Sequence, residues 1–229
     1  MPVIGEFASS VRVSMGQRNL NDVAVMVNIP LMSNAALRVV GMNKRQDGYI
    51  NNLDGYGKDG GVIDNESIRA MLSIDVTDDL NLTYSLSSFN TGGTPVYPNC
   101  DVYTSAGTLS GGMLLAGFTP GMKQRAHDAC VSSGHYDSYH DNTSDKAFLD
   151  LDKSLLKLTY DLGSSLLTVI HSTSEHKDLE TPWAMGFLRT EFPDIAHAGP
   201  RNSSSDGSTT EIRLSGSSMN DRLDYTFGF

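Results

Sequence analysis

The stretch "NDVAVMVNIPLMSNAALRVVGMNKRQDGYIN", residues 21–51, contains two runs of alternating apolar residues on either side of a short turn. Val23, Val25, Val27 and Ile29 share one face of the first run, because successive side chains of a strand point to opposite faces. The second run passes into a polar, glycine-containing tail instead of another tight turn. This pattern predicts a β-hairpin that is tight at one end and opens into a long connection at the other.

The same alternation recurs along the chain, whereas helical periodicity is nearly absent. It predicts nine strands, near residues 6–15, 23–29, 37–42, 68–77, 80–87, 156–160, 165–177, 211–214 and 223–229. Short turns follow the second, fourth, sixth and eighth segments, and long connections follow the third, fifth and seventh, roughly at 46–66, 91–150 and 179–209. In an antiparallel sheet the long connections would all lie at one end. This asymmetry is typical of outer-membrane barrels.

The faces of the predicted strands differ in chemistry. Charged residues lie on the less apolar face: Glu6, Arg12, Arg38, Arg69, Asp75, Lys157, Glu211 and Arg213. Such a face must be hydrated or paired, and a wide polar lumen would provide that environment. Aromatic residues near strand ends could form interfacial girdles: Phe89, Tyr160, Tyr225 and Phe227. A soluble β-sandwich explains the alternation as well, but it explains the long connections poorly.

Composition excludes some function classes. The net charge of -10 argues against nucleic acid as a partner, because phosphate binding requires clustered Lys and Arg. No run of 18 apolar residues occurs, and the opening residues lack the basic and apolar regions of a signal peptide.

The cysteines, histidines and serines of the sequence indicate a disulfide but no catalytic or metal site. Cys100 and Cys130 lie in one Gly- and Ser-rich stretch, which favours a disulfide and an oxidising compartment. No metal-binding spacing and no nucleophile motif is present in the sequence. We therefore predict no catalytic residue, no metal and no cofactor.

The ordered set of segments resembles TonB-dependent outer-membrane receptors. The resemblance rests on "VNIPL" followed by "ALRV", on "DGYINN" before a Gly/Asp loop, on "SIRAMLSIDVTDDLNLTYSLS", on "LLKLTYDLGSSLLTVIHST" and on "TEIRLSGSSMNDRLDYTFGF". The family implies a barrel of about 22 strands filled by an N-terminal plug. It imports ferric siderophores, cobalamin or similar scarce nutrients, driven by the inner-membrane TonB complex.

The sequence departs from that pattern, since it carries no plug, no coupling motif and only about nine of about 22 strands. We therefore expect residues 1–229 to be a partial, antiparallel, transmembrane β-barrel domain, the N-proximal barrel part of a siderophore-receptor-like protein in the outer membrane of a Gram-negative bacterium. Its expected partners are outer-membrane lipid, the remaining plug and barrel strands, TonB through the missing N-terminal part, and a ligand such as a ferric siderophore. Another outer-membrane barrel, porin-like, and a soluble β-sandwich ligand-binding module remain alternatives.

Aromatic residues of the predicted outer loops are candidates for ligand contacts. Rings with polar tips suit flat, partly apolar ligands, although loop tyrosines also pack against their own loops. The candidates are Tyr49, Tyr56, Tyr97, Tyr103 and Trp183, with Tyr136 and Tyr139 in similar positions.

Overall fold

The computed structural model describes residues 1–53, 59–94, 136–138, 148–180, 201–220 and 222–229. The strands are β1 (Ala8–Gly16), β2 (Leu20–Met32), β3 (Ala35–Gln46), β4 (Asn51–Asn52), β5 (Ile63–Asp75), β6 (Leu80–Gly93), β7 (Asp137–Ser138), β8 (Phe148–Asp161), β9 (Ser165–Glu180), β10 (Arg201–Ser218) and β11 (Leu223–Gly228). Within these ranges no helix is long and apolar enough to cross a membrane.

Nine strands form one antiparallel sheet in the order β1-β2-β3-β5-β6-β8-β9-β10-β11. The spatial order is therefore the chain order, and the predicted nine-stranded all-β sheet is confirmed. The strands β4 and β7 form a separate parallel pair. Because every pairing in the large sheet reverses direction, the two edge strands, β1 and β11, run the same way.

The connections alternate as the sequence predicts. Four short turns lie at one end of the sheet, at 33–34, 76–79, 162–164 and 219–222. The strand ends that lead into the long connections, from β3 to β5, from β6 to β8 and from β9 to β10, lie at the opposite end. We call the two ends the short-turn end and the long-connection end. The brief β1–β2 turn also lies at the long-connection end, with Arg18 and Asn19 at positive φ of 56° and 53°, as in a two-residue hairpin turn that follows the sheet twist.

The register divides the sheet into two faces. One face, here the apolar face, includes the register partners Ile74, Leu82, Leu158, Val169 and Ile212. The opposite face, here the polar face, includes Ser73, Thr83, Lys157, Ile170 and Glu211 one residue away along each strand.

Burial distinguishes these faces further. The fully or nearly buried polar side chains of the strands all lie on the polar face: Asn28, Ser73, Thr83 and Thr168. Large residues of the apolar face are left open, including Val11 at 68% and Ile68 at 56% exposed. Among the described residues there is no second layer to cover the apolar face, so the β-sandwich alternative has no counterpart in this fold.

Most strands extend further than predicted, β8 and β10 by the largest margins. β8 begins at Phe148 and β10 at Arg201, where the sequence pattern indicated starts near 156 and 211. The added portion of β10 is polar on both faces, whereas that of β8 places Asp150 and Asp152 on the apolar face and Leu149 and Leu151 on the polar face. Backbone pairing therefore continues beyond the residues that are apolar on the apolar face, where the pattern of the strand core is reversed in β8 and absent in β10.

Candidate functional site

The limit of the apolar face runs obliquely across the sheet. On β2 its last apolar residue toward the long-connection end is Val23, and on β10 it is Ile212. The successive register partners of Val23, followed across six strand pairings, end at Ser204 on β10. Ser204 lies eight residues from Ile212 on the same strand. The offset is eight residues of about 3.3 Å along the strands, over six strand spacings of about 4.8 Å across the sheet. If the limit of the apolar face is level, the strands are therefore tilted by about 40° from the direction perpendicular to it. Barrel strands in membranes tilt by a similar angle, about 35–45°.

The height of the apolar band follows from β5. Its apolar-face residues Ile68, Ala70, Leu72 and Ile74 are continued by Val76. Eight residue steps at about 3.3 Å, projected through a tilt of about 40°, give a band about 20 Å high. This is close to the apolar band of about 25 Å that surrounds transmembrane barrels.

A polar belt lies on the same face between the apolar band and the long-connection end. It consists of Asn43, Arg45, Asp64, Glu66, Asn90, Asp150, Asp152, Glu175, Lys177 and Asp206. Arg45 Nε donates to Asp64 Oδ1 at 3.0 Å, and Arg45 Nη2 lies 3.2 Å from Glu66 Oε1. A hydrogen bond and the charge of Glu175 raise the pKa of Lys177. This face of the sheet thus changes from apolar to charged side chains at the border of the apolar band, as the outer surface of transmembrane barrels does.

Aromatic residues mark the other border of the band. Tyr160, Tyr225 and Phe227 lie on the apolar face near the short-turn end, and the rings of Tyr225 and Phe227 are 5.6 Å apart. The hydroxyl groups of Tyr225 and Ser165 are hydrogen-bonded at 2.7 Å. The expectation for Phe89 is wrong, because its register partner is Ser67 and it lies on the polar face.

The polar face carries the charges that the sequence predicts, with one exception. Arg12, Arg38, Arg69, Lys157 and the pair Glu211–Arg213 lie there by register, as does Asp75. Glu6 instead precedes β1. Sequence reasoning missed Lys153, which lies on this face because β8 begins earlier than the apolar pattern indicates.

Asn28 organises the polar face near the short-turn end. Its side chain is 0% exposed and uses its full hydrogen-bonding capacity. Oδ1 accepts from Val3 N at 3.0 Å and from Arg38 Nε at 3.2 Å, while Nδ2 donates to Val3 O at 2.9 Å and to Glu6 O at 2.6 Å. The segment before β1 is thereby fixed to the polar face, with Gly5 at φ 78° allowing the turn.

An aromatic cluster lies at the long-connection end. The ring of Tyr49 stands edge-on to that of Tyr136, with centroids 6.5 Å apart, and the Arg18 guanidinium lies 5.3 Å from the Tyr49 centroid. Asn51 supports this contact, since its N–H donates to Tyr136 O at 2.7 Å and its Nδ2 donates to Asp137 Oδ1 at 2.8 Å. Two long connections, far apart in sequence, are joined here.

Of the predicted ligand-facing aromatics, the structure therefore brings Tyr49 together with Tyr136. Sequence reasoning missed Arg18 as a member of this cluster, and its position in a turn gave no signal for it. The remaining residues lie outside the described residues: Tyr56, Tyr97, Tyr103, Tyr139, Trp183, and the cysteines of the predicted disulfide, Cys100 and Cys130.

No protein-family model and no curated protein matches the chain. The fold is similar to the siderophore receptor PiuA from Acinetobacter baumannii, with a TM-score of 0.66, 14% sequence identity, and coverage of 99% of this chain and 30% of that receptor. It is also similar to the ferric-catecholate import receptor Fiu from E. coli K12, with a TM-score of 0.58, 12% identity, and coverage of 95% and 29%.

The chain thus spans about a third of the length of each of these receptors. At this level of identity the likeness concerns the fold. The resemblance predicted from the sequence motifs is confirmed at that level: the chain has the fold of a section of a siderophore-receptor β-barrel wall.

Proposed function

We propose that this chain is a section of the barrel wall of an outer-membrane receptor for energy-coupled uptake of ferric siderophores or a similar scarce nutrient. The observation that carries the proposal is the oblique apolar band. A membrane-spanning barrel requires a level apolar band with strands tilted by about 40°. No physical constraint on a soluble sheet would produce such a band. The likeness of the fold to two siderophore receptors supports the cargo class.

A barrel wall must be closed, because unpaired edge groups are costly in hydrocarbon. β1 and β11 are the edges of the large sheet, and they run in the same direction. A fully antiparallel closure therefore needs an odd number of additional strands. About thirteen would complete a barrel of about 22 strands.

The same parity disfavours closure by a second copy. Two copies with their long connections on the same side would place β1 of one beside β11 of the other in parallel pairs. Antiparallel pairing is the general pattern of outer-membrane barrels. We therefore propose that the remaining wall, a plug and the segment that contacts TonB are supplied by other parts of the receptor.

The aromatic cluster is the proposed ligand-facing element of this section. Tyr49 and Tyr136 present rings with polar tips at the long-connection end, and Arg18 adds a cation beside them. Such a group suits a flat ligand with an anionic or catechol-like rim.

The test is an uptake assay in the source bacterium under iron limitation. Deleting the coding region should abolish accumulation of at least one radiolabelled complex from a panel of ferric siderophores, and an epitope-tagged chain should fractionate with the outer membrane. Unchanged uptake of the whole panel, together with recovery of the chain in detergent-free buffer, would contradict the proposal.

A further inference from the structure

A groove of about 690 Å³ lies on the apolar face of the sheet, at the border between the apolar band and the polar belt. Ile68 and Leu86 of the band line one end of it, and they are 56% and 49% exposed. Asp152, Glu175 and Asp206 of the belt line the other end. This border groove therefore joins an apolar surface to an acidic one.

The floor of the border groove is built from small hydroxyl side chains. Ser154, Thr173 and Ser208 are register partners on β8, β9 and β10, and they all line the groove. The hydroxyl groups of Ser154 and Thr173 are hydrogen-bonded at 2.7 Å. In such a pair one hydroxyl donates and the other accepts, so one O–H remains free to donate to a bound group. The floor thus offers hydrogen-bond donors between the apolar and the acidic end.

The acidic end of the groove carries more negative charge than the protein neutralises. Asp152, Glu175 and Asp206 are direct register partners on adjacent strands, and like charges in such positions destabilise a sheet. Lys177 pairs with Glu175 at 2.6 Å. Within the described part of the chain, Asp152 and Asp206 have neither a hydrogen bond nor an ion pair. A cation bound in the groove would therefore offset a repulsion that the fold leaves in place.

The order of these groups matches the order of groups in a membrane lipid. On β8 the last residue of the apolar band is Leu156, and Ser154 and Asp152 follow it two and four residues toward the long-connection end. At about 3.3 Å per residue and a tilt of about 40°, they lie about 5 and about 10 Å beyond the band along the membrane normal. The headgroup layer on each side of the hydrocarbon core is about 5–7 Å thick. The floor hydroxyls thus lie within that layer, and the carboxylates lie near its outer limit.

We propose that the border groove binds a membrane lipid whose headgroup ends in a primary ammonium group. Its acyl chain lies against Ile68 and Leu86, its phosphate accepts hydrogen bonds from the floor hydroxyls, and its ammonium group meets Asp152 and Asp206. In the proposed barrel wall, on which this inference rests, the groove is continuous with the lipid-facing band, so a lipid reaches it without leaving the membrane.

The ammonium group is the part of the lipid that the groove distinguishes. A primary ammonium has three N–H donors, so it can contact carboxylates of neighbouring strands at the same time. A quaternary ammonium has no N–H donor, and an anionic headgroup is repelled by the acidic end of the groove. We therefore expect selectivity for the amine-bearing headgroup over both of the others.

The test uses the full chain in an uncharged detergent and lipids that carry a fluorescent group on the acyl chain, with binding followed by anisotropy. Phosphatidylethanolamine ends in a primary ammonium and phosphatidylcholine in a quaternary one, whereas phosphatidylglycerol has a net negative charge. The unmodified chain should bind phosphatidylethanolamine about fivefold more tightly than the other two, because each charge contact at a hydrated surface contributes at most a few-fold.

Asp152→Asn combined with Asp206→Asn should reduce this preference to less than about twofold. The matched control is Asp64→Asn combined with Glu66→Gln. It removes the same charge from the same belt, but at carboxylates that Arg45 already neutralises, and it should keep the preference of the unmodified chain.

Ser208→Phe tests the groove without changing any charge. The larger ring fills part of the floor at an exposed position, so it should weaken the binding of phosphatidylethanolamine severalfold while leaving the β-sheet circular dichroism spectrum unchanged. This variant also covers the case in which the double asparagine variant does not fold, since unweakened binding by Ser208→Phe would itself overturn the proposal.

Equal affinity of the unmodified chain for the three lipids, or equal loss of the preference in the two double variants, would overturn the proposal. A preference for phosphatidylglycerol that appears only with Ca²⁺ would also overturn it, because a metal ion bridging to an anionic headgroup would then occupy the groove. Binding of a lysine-rich amphipathic peptide without any headgroup preference would overturn it in favour of a protein segment.

The uptake assay is independent of this measurement. Unchanged uptake after deletion of the coding region, with the headgroup preference intact, would refute the receptor proposal alone. Loss of uptake on deletion, with no headgroup preference, would refute this inference alone.

Discussion

Replacing Asn28 with alanine should release the segment before β1 while leaving the sheet intact. The side chain is fully buried and makes four hydrogen bonds, three of them to the backbone of Val3 and Glu6. Each contributes about 0.5–1.5 kcal/mol net. Because Val3 is 43% exposed, its backbone groups can regain water, so we expect about 2 kcal/mol of local stability to be lost.

Hydrogen exchange is the direct measurement. The Val3 N–H donates to Asn28 in the folded protein, and a loss of about 2 kcal/mol should accelerate its exchange roughly thirtyfold. Amides in the centre of the β5–β6 ladder should exchange at unchanged rates. Asn28→Asp tests the donors specifically, because a carboxylate would face the carbonyl oxygens of Val3 and Glu6 in place of the amide N–H groups. It should accelerate exchange at least as much as alanine does.

Asn43→Ala is the matched control. Asn43 makes one exposed hydrogen bond, to Glu66 at 2.8 Å, and Glu66 keeps its contact with Arg45. Its replacement should change stability by less than about 0.5 kcal/mol. The reasoning about Asn28 would be refuted if the Val3 amide exchanged at the unmodified rate in the alanine variant, or if the whole sheet opened together with the segment.

Two further predictions concern the band and the aromatic cluster. Leu158→Glu, in the apolar band, should lower the free energy of unfolding from lipid vesicles by about 1–2 kcal/mol. Leu155→Glu, on the polar face of the same strand, should change it by less than about 0.5 kcal/mol. Urea titration measures both values, and equal effects of the two substitutions would argue against a lipid-facing band. Gly61→Ala should lower the free energy of unfolding by about 1–2 kcal/mol, because Gly61 has φ 78° and the new Cβ would lie 2.6 Å from Tyr49 Cε1. The control is Gly41→Ala, whose Cβ would meet no atom within 4 Å, and it should leave the stability unchanged. Urea titration with near-ultraviolet circular dichroism checks the second pair, and an unperturbed tyrosine spectrum for Gly61→Ala would contradict it.

Sequence periodicity predicts the sheet well where the two faces differ. Ile74, Leu82 and Leu158 alternate with Asp75, Thr83 and Lys157, and all six are placed by register on the expected faces. Toward the long-connection end this pattern fails, because β10 is polar on both faces and β8 carries leucines on the polar face and aspartates on the apolar face. The early start of β8 was missed for this reason, and Lys153 was missed with it.

The site depends on contacts that periodicity does not encode. Asn28 binds a segment 25 residues away, and an asparagine within an apolar run gives no indication of its partner. The contact between Tyr49 and Tyr136 is determined by how two long connections approach each other. The sequence could mark both tyrosines as loop aromatics, but only the fold pairs them.

The identity of spatial order and chain order has a consequence for how the wall is made. Each strand of the large sheet pairs only with the strand of that sheet before it and the strand after it, so no ladder of this sheet skips a strand. The sheet can be assembled by successive addition of one hairpin at its open edge, with each completed strand serving as the template for the next. For the same reason, a duplicated or deleted hairpin would change the circumference of the wall without rethreading it, which makes barrel size an evolutionarily adjustable dimension of this architecture.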